Sequence, residues 1–200
     1  MTLRHFILCS LILLPEFAFA LPYSSDEEMY VAVIGHIAKE QHARKLAVYY
    51  EVLRPDELVE DKVPRHQPKG QFSRAIPGVS AEMELELLYA SKKQPSYLLK
   101  EFAWSASGIE FLGFLDSSSL HALETSKGTR EFENLVVAVK FSRIAYNSAH
   151  SKALIYAESG RVQASLGSSG DAFLFVHERT GWRLQASAGL WGGGPKFWLE

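Results

Sequence analysis

The chain has 200 residues, with 21 lysines and arginines against 23 aspartates and glutamates, for a formal net charge of −2. No basic excess is available to neutralise phosphates, so the composition argues against nucleic-acid binding and against attachment to an anionic membrane surface. Apolar residues make up 47% and aromatic residues 12% of the chain, which favours a globular protein with a packed core over a disordered one.

The first twenty residues have the pattern of a secretory signal peptide. Arg4 gives a basic start, and residues 6–14 (FILCSLILL) form an apolar run that is too short to span a bilayer. Residues 18–20 (AFA) then supply the small side chains that signal peptidase accepts. We therefore expect an exported protein, periplasmic or secreted, that is cleaved after Ala20.

The only cysteine, Cys9, lies inside that apolar run, so the mature chain is expected to contain none. An exported chain without disulfides depends on its packed core, and about 180 residues suffice for one domain. We expect residues 21–194 to form a single domain and residues 195–200 a flexible tail. No later stretch approaches the roughly 20 apolar residues of a membrane helix. The lack of N-glycosylation sequons and of mature cysteines favours a bacterial source.

A helix and a strand are predicted at the start of the mature domain. Ser25 precedes three acidic residues, as at a capped helix N-terminus. Residues 26–43 place apolar side chains at helical spacing, namely Met29, Tyr30, Val33, Ile34 and Ile37. Residues 46–53 alternate between two sets of mostly apolar side chains rich in strand formers, which predicts a strand covered on both faces.

The middle of the chain is less regular. Four prolines interrupt residues 54–79, so an irregular surface loop is expected there. Residues 80–91 fit both a strand, because three glutamates alternate with apolar residues, and a helix, because their composition is rich in helix formers. We predict the helix. Shorter elements follow: helices over 96–102, 120–125 and 130–135, and a strand over 109–115.

The C-terminal third predicts an antiparallel meander. Candidate strands cover residues 137–146, 153–158, 172–177 and 182–191, joined by links short enough for neighbours to pair. The predicted fold is α+β, with an N-terminal helical part packed on a curved antiparallel sheet that ends in a meander of three or four strands.

The last strand alternates cleanly in sequence. One predicted face is apolar and carries Trp182, Leu184, Ala186, Ala188 and Leu190. The other face is polar except for Trp191, which stands just before three glycines. The pattern predicts the closing strand of a sheet, and it leaves open what Trp191 covers.

The residues of this meander carry a resemblance. They are RIAYN at 143–147, ALIY at 153–156, the apolar strand FLFV, GWRL at 181–184 and finally Trp191. The pattern is similar to the C-terminal meander of a group of poorly characterised exported bacterial proteins, and such meanders also occur in NTF2-like domains. The resemblance implies fold and export but no activity. Members often carry cysteine in the middle link, whereas residues 163–170 here have none.

One helical stretch resembles a metal site. His36 and Glu40 are four residues apart and share a helix face, as two metal ligands would. The alternative is a solvated helix face, and the stretch lacks the HExxH spacing. The sequence contains no P-loop, dinucleotide fingerprint, Cys/His metal cluster or EF-hand loop, so no cofactor is expected and no catalytic residue is assigned.

The aromatic residues offer a different site. If strands from one sheet curve around the first helix, some of their rings would line an apolar pocket rather than the core. The candidates are Tyr50, Tyr146, Tyr156, Phe175 and Trp191. We therefore expect a non-enzymatic module that binds a small apolar ligand or a protein partner. The alternative is an exported hydrolase or metal-dependent enzyme that uses His36, Glu40 or a serine–histidine pair.

Overall fold

A computed structural model of the protein describes residues 25–53, 70–92, 101–116, 136–161 and 168–193, together with residues 118, 119 and 122. The three helices in these ranges are α1 (Asp26–Glu40), α2 (Gln71–Ala75) and α3 (Ala81–Lys92). The strands are β1 (Lys45–Tyr49), β2 (Glu110–Leu115), β3 (Val136–Phe141), β4 (Ala145–Tyr146), β5 (Lys152–Arg161), β6 (Ser168–Glu178) and β7 (Gly181–Gly193).

The strands form one open seven-stranded sheet, which confirms the α+β class and the C-terminal meander. The main order is β2-β1-β3-β5-β6-β7, with β4 paired to β5. The meander is antiparallel as predicted, but β1 pairs in parallel with both of its neighbours, so the sheet as a whole is mixed. None of the described helices has the length and apolarity that a membrane crossing requires.

Several predicted elements lie outside the described residues: the signal segment, residues 54–69, the helix over 130–135, the tail over 195–200 and most of the short helices over 96–102 and 120–125. Where residues 118 and 119 are described, Asp116 accepts the Ser119 backbone N–H at 2.6 Å. Asp116 therefore caps that turn.

The helices that the sequence predicted best are α1 and α3. Ser25 accepts the backbone N–H of Glu28 at 3.3 Å, as its position before the acidic turn predicted. Residues 81–92 are helical rather than extended. Their high content of helix-forming residues therefore outweighs the strand-like alternation of the glutamates. The described part of the predicted loop differs from expectation, because α2 forms there and buries Phe72 and Ile76.

Glu84 explains how so short a helix as α2 is held. Its Oε1 accepts the backbone N–H of Phe72 at 2.6 Å, and its Oε2 accepts the Ser73 hydroxyl at 3.2 Å. A buried carboxylate from α3 thus satisfies the free backbone donors at the start of α2. The two helices are joined into one layer, and that layer packs on the sheet.

The sheet has a core on each face. The larger core lies under α1, where Met29, Val33, Ile34 and Ile37 pack on alternate residues of β1, β3, β5 and β6. The second lies under α2 and α3, where Phe72, Met83 and Leu87 pack on Leu154, Tyr156 and Leu174. We call these surfaces the α1 face and the α2/α3 face.

The predicted strand over 137–146 is broken at Ser142. The Ser142 hydroxyl accepts the backbone N–H of Tyr156 at 2.9 Å and donates to the Arg143 carbonyl at 2.7 Å. The Ser142 backbone N–H still donates to the Tyr156 carbonyl at 2.8 Å, but the Tyr156 N–H bonds to a side chain in place of a backbone carbonyl, and this interrupts the ladder. The chain therefore continues as a separate two-residue strand, β4, on the same neighbour.

The predicted faces of the last strand are wrong, because β7 carries two register shifts against β6. Phe175 pairs with Leu184 and Leu174 with Ala186, so Gln185 is extra and the side-chain alternation reverses there. Trp182 and Leu184 pack in the α1-face core, whereas Ala186, Ala188 and Leu190 pack in the other. A one-residue insertion moves side chains to the opposite face, and the sequence pattern alone does not show it.

The second register shift changes the surroundings of Trp191, which the sequence pattern places on a polar face. Asp171 pairs with Gly189 and Gly170 with Trp191, so Leu190 is the extra residue. Gly170 stands two residues before Ala172 on β6, so both lie on the α2/α3 face. Trp191 pairs with Gly170 and therefore lies on the α2/α3 face rather than on a polar one.

Candidate functional site

The five aromatic candidates are distributed over both faces of the sheet. Tyr156 and Trp191 meet on the α2/α3 face, where the indole Nε1 of Trp191 donates to the Tyr156 hydroxyl at 2.7 Å. That hydroxyl donates in turn to Oε1 of Glu158 at 3.0 Å, and the Glu158 residue is only 1% exposed. Burial and the neighbouring carboxylate both raise the pKa of Tyr156.

The other three candidates lie elsewhere. Phe175 is fully buried in the α1-face core. Tyr146 bonds to Asp26 at the start of α1, and burial followed by that hydrogen bond raises its pKa. Tyr50 bonds to Glu101, which raises the pKa of its exposed hydroxyl. The structure thus joins one pair of the five and does not bring the set around one cavity.

The α1 face carries a different arrangement that the sequence does not reveal. A line of polar side chains runs from the last turn of α1 across three adjacent strands, β5, β6 and β7. We call it the polar row: His36, Glu40, Gln41, Ser159, Ser169, Asp171 and Ser187. It borders the buried apolar core and is partly open to solvent.

His36 stands at one end of the polar row. The His36 ring packs edge-on against Phe173, with the ring centroids 5.4 Å apart, and this contact holds the ring in place. Nε2 lies 3.0 Å from Oε1 of Glu40 and 3.4 Å from the hydroxyl of Ser187. The helix face that the sequence singled out therefore points across the sheet edge towards β7.

A chain of hydrogen bonds forms the other end. Gln41 donates through Nε2 to the Ser159 hydroxyl, which lies 3.2 Å from the Ser169 hydroxyl. Ser169 donates to Oδ2 of Asp171 at 2.9 Å. Because Ser169 gives its hydrogen to the carboxylate, Ser159 is the donor between the two serines. Gln41 therefore donates to Ser159, Ser159 donates to Ser169, and Ser169 donates to Asp171.

Asp171 is the half-buried centre of the polar row. Desolvation raises the pKa of its carboxyl, and the charge of Glu40 raises it further, while Ser169 and His36 lower it. Among the described residues no group donates to its second oxygen, Oδ1. A partly desolvated carboxylate with one open oxygen is a site at which a donor from outside the chain gains a strong hydrogen bond.

Gly189 opens the space beside that oxygen. It is the cross-strand partner of Asp171, it is exposed, and a Cβ built on it would lie 3.4 Å from Oδ1. Its φ is not in the left-handed region, so the backbone does not require glycine. The missing side chain leaves a gap bounded by Asp171 and by the exposed Ser187 two residues earlier.

The polar row does not have the geometry of a catalytic relay. In a serine–histidine–acid relay the serine and the acid bond to opposite ring nitrogens, so that the acid fixes the tautomer that activates the serine. Here Glu40 and Ser187 both approach Nε2 of His36. A neutral ring nitrogen cannot donate to one and accept from the other at once.

Metal binding by His36 and Glu40 would need further ligands. Glu40 supplies one oxygen to its contact with His36, and no group of three metal-binding side chains occurs within the ranges that the structure covers. The arrangement instead presents fixed acceptors, two carboxylates and several hydroxyls, at a partly open edge. Such a set recognises a ligand rich in hydrogen-bond donors.

Comparisons with known proteins identified no relatives: no protein-family model matches the chain, and no curated protein and no solved structure matches it significantly.

Proposed function

We propose that this protein is an exported, non-enzymatic binding module whose polar row holds the cationic group of a small ligand. The signal-peptide pattern and the cysteine-free mature chain support the export part of the proposal. The resemblance of the meander to that of exported bacterial proteins supports it further.

The observation that carries the binding proposal is Oδ1 of Asp171, to which no described residue donates and which lies beside the gap at Gly189. Glu40 lies near enough to raise the pKa of Asp171, so the two carboxylates act on the same region. A protonated amine placed there would relieve their repulsion and supply the missing donor. An apolar ligand would leave the oxygen desolvated and without a partner, which is costly.

The experiment compares amines with a neutral analogue of similar length. The mature protein is titrated calorimetrically with ethanolamine, glucosamine and 1,4-diaminobutane, and with 1,4-butanediol as the uncharged control. We expect at least one amine to bind and the diol to give no heat. Gly189→Val fills the gap without changing charge and should weaken amine binding about tenfold or more.

Ala149→Val is the control for that substitution. Ala149 is exposed in the turn before β5, at the opposite end of that strand from Ser159. We expect this variant to bind amines as the wild type does. Failure of all three amines to bind, or equal weakening by both valine variants, would overturn the site.

The alternative, an exported hydrolase, is favoured by one observation, the 3.4 Å contact between Ser187 and His36. It predicts that a fluorophosphonate probe labels Ser187 and that Ser187→Ala abolishes labelling. The binding proposal predicts no labelling at this serine, because Glu40 and Ser187 compete for the same ring nitrogen. Site-specific labelling in tandem mass spectrometry therefore decides between the two functions.

A further inference from the structure

The two carboxyl oxygens of Asp171 have different surroundings. Oδ2 accepts the hydroxyl of Ser169 at 2.9 Å, whereas none of the described residues donates to Oδ1. Ser169 is bonded in turn to the fully buried Ser159, which accepts from Gln41 at the end of α1. A line of hydrogen bonds that starts at α1 and crosses β5 and β6 therefore sets the orientation of the carboxyl group.

The space beside Gly189 lets a donor reach Oδ1 directly. A Cβ built on this glycine would lie 3.4 Å from Oδ1, and no other described atom outside the adjoining residues would lie within 4 Å of it. An ammonium group that enters this space can bring its nitrogen to about 2.8 Å from Oδ1, the usual length of a charge-assisted hydrogen bond. The arrangement thus fits one N–H donor at a defined oxygen.

The substituents on the ligand nitrogen decide whether that bond forms. A primary ammonium has three N–H donors, whereas a quaternary ammonium has none and meets the oxygen with a methyl group. The intervening methyl holds the positive nitrogen farther from Oδ1, which weakens the attraction between the two charges. It also leaves a partly desolvated oxygen without a donor, which is unfavourable.

The described part of the polar row also lacks the open aromatic face that a quaternary ammonium requires. Such groups bind over the faces of aromatic rings. The ring beneath the row is Phe173, which is 1% exposed and packs against the ring of His36. Phe173 therefore has no free face for a ligand, and the row provides acceptors for N–H groups instead.

We propose that the polar row selects primary ammonium groups over quaternary ones, because Oδ1 of Asp171 requires an N–H donor. This inference rests on the proposed amine site and narrows its ligand class to primary amines, such as amino alcohols, amino sugars and alkyl diamines. Ser169 acts as a positioning residue, which holds the carboxyl group with Oδ1 towards Gly189.

Ethanolamine and choline are the matched ligands for the test. Both carry a hydroxyl group on a two-carbon chain and a single positive charge at pH 7, and they differ in the three methyl groups on the choline nitrogen. Calorimetric titration of the mature protein measures the Kd of each, and 1,4-diaminobutane and its fully N-methylated form repeat the comparison without a hydroxyl group. We expect each primary amine to bind at least about tenfold more tightly than its methylated counterpart.

Variants of Ser169 test the positioning role. Ser169→Ala removes the donor to Oδ2, so ethanolamine should bind about threefold or more weakly while choline, which makes no hydrogen bond to Asp171, is unchanged. The ratio of the two Kd values therefore falls, whereas Ser169→Thr keeps the hydroxyl and should retain the wild-type ratio. Ser148→Ala is the control, since Ser148 is exposed in the turn before β5, at the opposite end of that strand from Ser159.

The outcomes separate this inference from the proposed function on which it rests. If none of the primary amines binds the wild type, the proposed function is wrong and this inference falls with it. If primary amines bind but their methylated counterparts bind within about twofold of them, charge alone attracts the ligand and only the selectivity is overturned. An unchanged ratio in folded Ser169→Ala would overturn the positioning role, and the comparison on the wild-type protein stands even if that variant does not fold.

Discussion

Gly170 and Trp191 are cross-strand partners, and the indole of Trp191 occupies the space in which a side chain at position 170 would begin. A Cβ on Gly170 would lie 2.1 Å from the indole Nε1 and 2.3 Å from the Tyr156 hydroxyl oxygen. An aromatic ring laid over a strand glycine restores the packing that the glycine lacks. Trp191 therefore covers Gly170 and closes the α2/α3 face at the edge of the sheet.

Gly170→Ala should destabilise the protein. The added methyl overlaps backbone-anchored rings from two strands, so either Trp191 or Tyr156 must move, at a cost of about 1–3 kcal/mol. Gly192→Ala, at the residue after Trp191 and with no other atom within 4 Å of the added methyl apart from its chain neighbours, should change the free energy of unfolding by less than about 0.5 kcal/mol. Urea unfolding of both variants measures the difference, and equal midpoints would contradict the proposed packing.

The hydrogen bond between Trp191 and Tyr156 should be measurable as a coupling. Trp191→Phe keeps a ring over Gly170 but removes the indole donor, and Tyr156→Phe removes the hydroxyl that also donates to the buried Glu158. We expect each to cost about 1–2 kcal/mol, with a coupling of about 0.5–1.5 kcal/mol in the double-mutant cycle. Strict additivity would show that the two side chains do not act together.

Much of the fold follows from sequence pattern, but the site does not. The helical spacing of α1 and the short links between the C-terminal strands predicted these elements correctly, because local periodicity and link length specify them. The polar row joins His36 to Ser159, Asp171 and Ser187, which lie more than a hundred residues away. Only the strand register brings these residues together.

The same limit explains the error at the sheet edge. The β-bulge at Gln185 moves Ala186 and Ala188 to the face opposite Trp182, and the bulge at Leu190 puts Trp191 on that same face. The alternation of the sequence therefore separates Trp191 from residues with which it shares a face. Besides His36 and Glu40, which the helical spacing singled out, Gly189 is a signal that could have indicated the site, since glycine in the middle of a strand often marks a bulge or a close approach.

Asp171→Asn should make the protein more stable at neutral pH. Desolvation raises the pKa of Asp171 above its usual 3.8, so the folded chain holds this proton to higher pH than the unfolded chain does. Stability contributed by this group therefore falls as the pH rises through that window and stays lower above it. Asparagine removes the charge, so its urea midpoint should exceed that of the wild type at pH 7.

The pH dependence provides the control for that prediction. Below pH 3 the carboxyl is protonated in both folded and unfolded chains, so the difference between wild type and Asp171→Asn should disappear. Amine binding by the variant should also be weaker at pH 7, although its fold is more stable. If Asp171→Asn stabilised the protein less at pH 7 than at pH 3, the result would contradict a desolvated carboxylate at Asp171.

Export predicts a defined mature N-terminus. When the full chain is expressed in a bacterial host, intact-mass analysis of the exported fraction should find a chain that begins at Leu21. Ala20→Arg places a large charged residue at the cleavage site and should leave the precursor uncut, whereas Ala20→Gly should be processed normally. An exported chain that retains Met1 would exclude the predicted cleavage.

Amide chemical-shift mapping of the mature protein with a bound amine tests the central claim most directly. During titration with the tightest of the three amines, we expect the largest 1H–15N shifts at residues 36–41, 169–171 and 187–189, which lie far apart in sequence and meet at the polar row. In Gly189→Val the same amides should shift only at an amine concentration about tenfold higher or more. Shifts confined to another surface, or shifts that persist unchanged in Gly189→Val, would contradict a ligand site at Asp171.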